Sequence, residues 1–81
     1  MTETKIYPEI TKLAGVTAKD GTYYELQELI QYSDDEEVIP HYDGEDAWYR
    51  VAIISPTGLL LRFKEFGPDE NKAYKYLKGR R

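Results

Sequence analysis

Between Ala47 and Phe66 two apolar runs flank a short polar break: Ala47-Trp48-Tyr49-Arg50-Val51-Ala52-Ile53-Ile54 and Leu59-Leu60-Leu61-Arg62-Phe63, separated by Ser55-Pro56-Thr57-Gly58. Both runs are built from residues that pack well on a pleated surface, and the break has turn chemistry, so the segment predicts a long β-hairpin. Pro56 presets φ for the second turn position and Gly58 suits the positive φ of a three-residue loop with a bulge. Read with a period of two, Leu59, Leu61 and Phe63 share one side, and Arg62 and Lys64 share the other with Leu60. On the incoming strand Tyr49, Val51 and Ile53 oppose Trp48, Arg50 and Ala52. One side is core, with Leu61 and Phe63 buried in it; the other is mixed aromatic and basic.

Upstream, residues 1–11 read as a loosely held lead-in, with Ile6, Tyr7 and Ile10 free to dock and Pro8 denying a regular element. Residues 12–18 predict the first core strand, where Gly15 marks a bulge or a close backbone approach. Asp20-Gly21 is a turn signal. Thr22 with Glu25 has the form of a capping box, and Tyr23, Leu26, Leu29 and Ile30 recur at helical spacing, which predicts a short helix down to Tyr32. The competing reading closes a hairpin at Asp20-Gly21 and makes Thr22-Tyr23-Tyr24 a strand. Residues 38–42 predict a short edge strand, since Pro40 cannot donate to a ladder.

After the hairpin, Pro68 in the first helical position and the carboxylates behind it start a second helix. In it Ala73 and Leu77, with Tyr74 or Tyr76, face the sheet, Lys72, Lys75 and Lys78 point outward, and Gly79 ends it; Arg80 and Arg81 form a basic tail. The expected class is α+β, one domain over residues 12–79: a small curved antiparallel sheet or partly open β-barrel with two short helices.

Charge changes this picture. The chain of 81 residues carries a formal −4, but residues 1–47 hold twelve carboxylates against three lysines, −9, and residues 48–81 hold eight cations against three carboxylates, +5. Such segregation in a small domain implies an acidic edge and a basic edge. On the basic side, Arg62 and Lys64 of the hairpin with Lys72 and Lys75 of the second helix are the candidate nucleic-acid contacts. On the acidic side, Asp34, Asp35, Glu36 and Glu37, with Glu45 and Asp46, are candidate contacts for a basic protein surface, the reading of an acidic regulator or inhibitor.

Catalytic chemistry is sparse. The chain has one His, no Cys and two Ser in turns, with no phosphate-binding glycine loop and no nucleophile motif, so it reads as non-enzymatic and cofactor-free. The acidic loops lack the alternating ligand spacing of a calcium site. Absence of Cys and of any long apolar run makes a soluble cytoplasmic protein the expectation. Tyrosine is abundant, eight residues. Aromatics interleaved with cations are how single strands of nucleic acid are held.

The order of motifs over residues 12–78 resembles the HIRAN domain. The resemblance rests on Leu13-Ala14-Gly15-Val16-Thr17, on Tyr23-Tyr24, and on Pro40-His41-Tyr42-Asp43-Gly44-Glu45-Asp46-Ala47. Val51-Ala52-Ile53, Gly58 and the helix after Pro68 continue it. It implies a six-stranded barrel-like fold with two helices that recognises 3′ ends of single-stranded DNA. Tyr42 and one of Tyr23 and Tyr24 would then be base-stacking platforms, with Asp43 at the terminal hydroxyl.

Overall fold

The computed structural model describes residues 7–41 and 44–81. Five strands, β1 (Tyr7–Thr17), β2 (Tyr23–Tyr32), β3 (Val38–Ile39), β4 (Ala47–Ile54) and β5 (Leu60–Gly67), precede one helix, α1 (Glu70–Lys78). The sheet is antiparallel and open, in the order β1-β2-β4-β5, and β3 pairs with β2 beyond the start of β4. Among the described residues the fold is therefore α+β, an open five-stranded sheet with one helix where two were expected.

The expected first helix is strand β2. Its centre is paired on both edges, Leu26 with Ala14 of β1 and with Val51 of β4, so it runs through the middle of the sheet. Tertiary pairing overrides the helical spacing of Leu26, Leu29 and Ile30. With a period of two, Tyr24, Leu26, Glu28 and Ile30 share one side, and Leu26 is fully buried. Thr22 does not cap a helix; its backbone N–H donates to Asp20 Oδ1 at 2.9 Å within the β1–β2 turn. That hydrogen bond holds the Asp20 carboxyl below its ordinary value. The lead-in is also more regular than expected, because β1 begins at Tyr7 and pairs with β2 from there, Tyr7 opposite Tyr32. Ile6 lies outside the described residues.

The β1–β2, β2–β3 and β4–β5 turns share one hydrogen-bond pattern. In each, a residue donates to the carbonyl four on and accepts from the N–H three on, as in Ser55 N–H to Leu59 O at 2.8 Å and Gly58 N–H to Ser55 O at 2.9 Å. His41 begins the same pattern with Glu45 and Gly44. The third loop residue takes positive φ, +91° at Gly58 as its sequence suggests, but also +62° at Glu36, where a side chain is present.

α1 is capped by Asp69, whose side chain accepts from the backbone N–H of Lys72 at 3.0 Å, so Pro68 lies just before the cap rather than in the first helical position. Ala73 and Leu77 are buried against Leu26, Tyr49, Val51 and Ile53. One side of the sheet is thus partly covered, and the other has no helix on it.

β5 departs most from expectation. Its pairing with β4 is irregular twice, between Tyr49 and Arg50 and between Ile53 and Ile54, leaving Phe66 and Leu61 as extra residues. Between them, Arg62 stands opposite Ile53 and Lys64 opposite Val51, on the helix side, while Phe63 stands opposite Ala52 on the bare side. Leu61 and Phe63 are consequently 57% and 37% exposed, not buried.

Candidate functional site

The C-terminal half builds a basic groove between β5 and α1. Arg62 and Lys64 project from β5 on the side that α1 covers, and Lys72 and Tyr76, four residues apart, lie on one flank of the helix. That flank faces β5: the Tyr76 ring sits 5.3 Å from Phe66 and 6.2 Å from Tyr24, centre to centre. The Arg80 guanidinium lies 4.6 Å from the centre of the Tyr76 ring and the Lys64 ammonium 5.9 Å. Cations at these distances are attracted to the negative face of the ring. Lys75 and Lys78 continue the charge along the exposed helix surface. No ion pair ties any of these cations to a described carboxylate.

Arg62 and Lys64 thus lie on the side of the sheet that α1 covers, Lys72 lies on the flank of α1 that carries Tyr76, and Lys75 lies on its outer surface. Tyr76 and Arg80 complete the groove. The readable signal for both was the i, i+4 series Lys72, Tyr76, Arg80. Of Tyr23 and Tyr24, one of which the resemblance makes a stacking platform, only Tyr24 lies on the helix side, because neighbours in a strand point to opposite sides. Tyr24 meets Tyr76 edge-on on the helix side, whereas Tyr23 packs over Gly15 on the bare side. Tyr42 and Asp43 lie outside the described residues.

The acidic residues gather at one end of the sheet. Asp34, Asp35, Glu36 and Glu37 are exposed in the β2–β3 turn, and Glu45 and Asp46 are exposed just before β4. A shallow hollow of about 600 Å³ lined by Glu45, Tyr49, Pro68, Asp69, Glu70 and Asn71 opens near this end. Tyr49 donates to Glu28 Oε2 at 3.1 Å. Burial, then the Glu70 and Glu28 carboxylates that accept from its hydroxyl, push the phenol well above its ordinary 10.0, so it serves as a donor and not as a base. Among the described residues no group of three His, Asp or Glu is arranged to hold a metal ion.

On the bare side, His41 bonds the Leu29 carbonyl through Nε2 at 3.1 Å and stacks at 5.4 Å on Trp48. Both contacts tie the β3–β4 connection to the sheet. No described helix is long and apolar enough to cross a membrane. No family model matches the chain, and neither a curated protein nor a solved structure matches it.

Proposed function

We propose that the protein is a non-enzymatic module that binds single-stranded nucleic acid, holding the phosphate backbone along the β5–α1 groove. The observation that carries this reading is the pair of cations, Lys64 and Arg80, over the Tyr76 ring, with Arg62 on the same side of β5 and Lys72 one helical turn before Tyr76. Phosphate neutralisation supplies most sequence-independent affinity, and an aromatic ring among the cations gives a base something to stack on. The acidic loops at the far end repel phosphate and so favour one placement of the strand. The resemblance to the HIRAN domain agrees in ligand class and implicates Tyr42, Asp43 and one of Tyr23 and Tyr24, of which Tyr24 borders this groove.

Fluorescence anisotropy with a labelled oligothymidylate tests the reading. Four phosphate contacts correspond to a slope of about −3 in log K against log salt. Replacing Arg62 and Lys64 together by Ala is expected to weaken binding at least tenfold, and a 3′-blocked oligonucleotide to bind as well as an open one unless the end itself is recognised. Absence of binding by the parent at low salt would refute the proposal.

A second reading is favoured by the gathering of Asp34, Asp35, Glu36, Glu37, Glu45 and Asp46 at one end: an acidic module docking on a basic protein. Co-purification with a basic protein, abolished by neutralising residues 34–37 and indifferent to Arg62 and Lys64, would select it.

A further inference from the structure

The side of the sheet that α1 leaves bare is the more apolar part of β5. Phe63 stands opposite Ala52 and Leu60 opposite Ile54 on this side, with Leu61 between them, and Leu60 and Leu61 are 49% and 57% exposed. Tyr23 and Leu29 of β2 and Trp48 of β4 extend the same surface. These apolar residues flank a strip formed by Lys12, Gln27 and Arg50, and exposed apolar side chains grouped on one side of a sheet mark an interaction surface.

The molecule is also thin. It measures 51 × 26 × 16 Å with a radius of gyration of 14.6 Å, where a compact chain of this length is expected near about 12 Å. Its accessible area of 5804 Å² exceeds the roughly 5,000 Å² of a compact monomer of its mass. One layer that such a domain ordinarily has is missing.

Several polar side chains on this side already pair with one another. Gln27 Nε2 donates to Glu25 Oε2 at 2.6 Å, and Arg50 Nε donates to Gln27 Oε1 at 2.8 Å with its guanidinium 3.8 Å from the centre of the Phe63 ring. Trp48 Nε1 donates to Glu65 Oε2 at 2.7 Å. Covering the surface would therefore orphan none of these bonds, the condition under which burial of polar groups is tolerated.

We infer that this side is covered by the same side of a second copy, giving a two-fold dimer of sheets packed face to face with both helices outside. Charge and area choose the occupant. Lys12 and Arg50 balance Glu25 and Glu65 here, so two copies meet without net repulsion although each chain carries −4, and neither an acidic nor a basic partner finds complementary charge. Four strands about 4.8 Å apart and eight residues long present roughly 500 Å² in projection. The accessible area of such a pleated surface is larger, near the ~800 Å² per partner of a standard interface. The two basic grooves then face outward on opposite sides, which leaves the proposed strand-binding site free, though the dimer does not depend on it.

Sedimentation of the full chain tests the inference. The expected mass is twice 9.5 kDa, with Trp48 emission shifting to the blue as concentration rises through the dimer transition. Leu61→Glu and Phe63→Glu, both at exposed positions, are each expected to give a folded monomer by circular dichroism, and Lys75→Glu on the outer helix surface to leave the dimer intact. A parent chain that stays at 9.5 kDa at high micromolar concentration, with or without a foreign protein bound, overturns the inference. So does a dimer that survives both Glu variants, or one whose formation leaves Trp48 emission unchanged.

Discussion

The phenol of Tyr23 lies directly over Gly15, diagonally across the β1–β2 pair, with the Lys12 ammonium 5.6 Å from the centre of the same ring. A β-carbon at position 15 would fall inside the van der Waals envelope of the ring. Replacing Gly by Ala lowers the entropy of the unfolded chain, a gain of under about 1 kcal/mol, but here it must push the ring aside. Gly15→Ala is therefore expected to cost about 1–2 kcal/mol net. In a Tyr23→Leu background most of that cost should vanish, so a double-mutant cycle by urea denaturation reads the contact directly; additive effects would disprove it.

Leu26 is the pivot of the core, with no exposed surface and neighbours on β1, β4 and α1. Leu26→Ala is expected to cost about 2–5 kcal/mol, a large share of what a domain this small possesses. Thermal unfolding within a few degrees of the parent would mean that the core lies elsewhere.

The raised Tyr49 phenol gives stability a dependence on alkaline pH. The unfolded chain loses this proton near 10 while the folded chain keeps it to higher pH. The contribution is accordingly complete below pH 10 and is lost as pH rises from there toward the folded value. Denaturation of the parent between neutral and strongly alkaline pH should show that decline, and Tyr49→Phe should flatten it. An identical slope in both proteins would exclude Tyr49 as its source.

Asp69 satisfies the Lys72 N–H at the start of α1. Asp69→Ala is expected to cost about 1 kcal/mol, and Asp69→Ser to restore most of it. Equal loss in both variants, measured by denaturant midpoint, would point to the charge instead of the cap.

What the sequence made legible depended on whether a pattern was local. The β4–β5 turn, Gly58 in it, the inward row Tyr49, Val51 and Ile53, and Ala73 with Leu77 on α1 follow from neighbouring residues alone, and all are found so. β2 did not, because its residues satisfy both periods and only pairing with strands on either side decides between them. The sides of Leu61 and Phe63 were hidden for another reason: alternation counted from the turn fails when a strand carries extra residues, and nothing at Leu61 or Phe66 announces one. For the candidate site, charge placed Arg62, Lys64, Lys72 and Lys75 on one half of the chain and helical spacing left Tyr74 and Tyr76 as alternatives for the sheet-facing ring, but only the approach of α1 to β5 sets Tyr76 beside Lys64. The choice between Tyr23 and Tyr24, adjacent in sequence, is not local either: the two lie on opposite sides of the sheet, and only the position of α1 says which of them it meets.

Eight residues of β5 run alongside six of β4, from Leu60 opposite Ile54 to Gly67 opposite Tyr49. A strand longer than its neighbour must arch, and its outer row of N–H and C=O groups no longer lies in a straight line. A straight, leucine-rich outer strand would invite further strands to add one after another into fibrils. The arch makes β5 a poor template for that growth, so any stickiness of its leucines is confined to encounters that close on themselves.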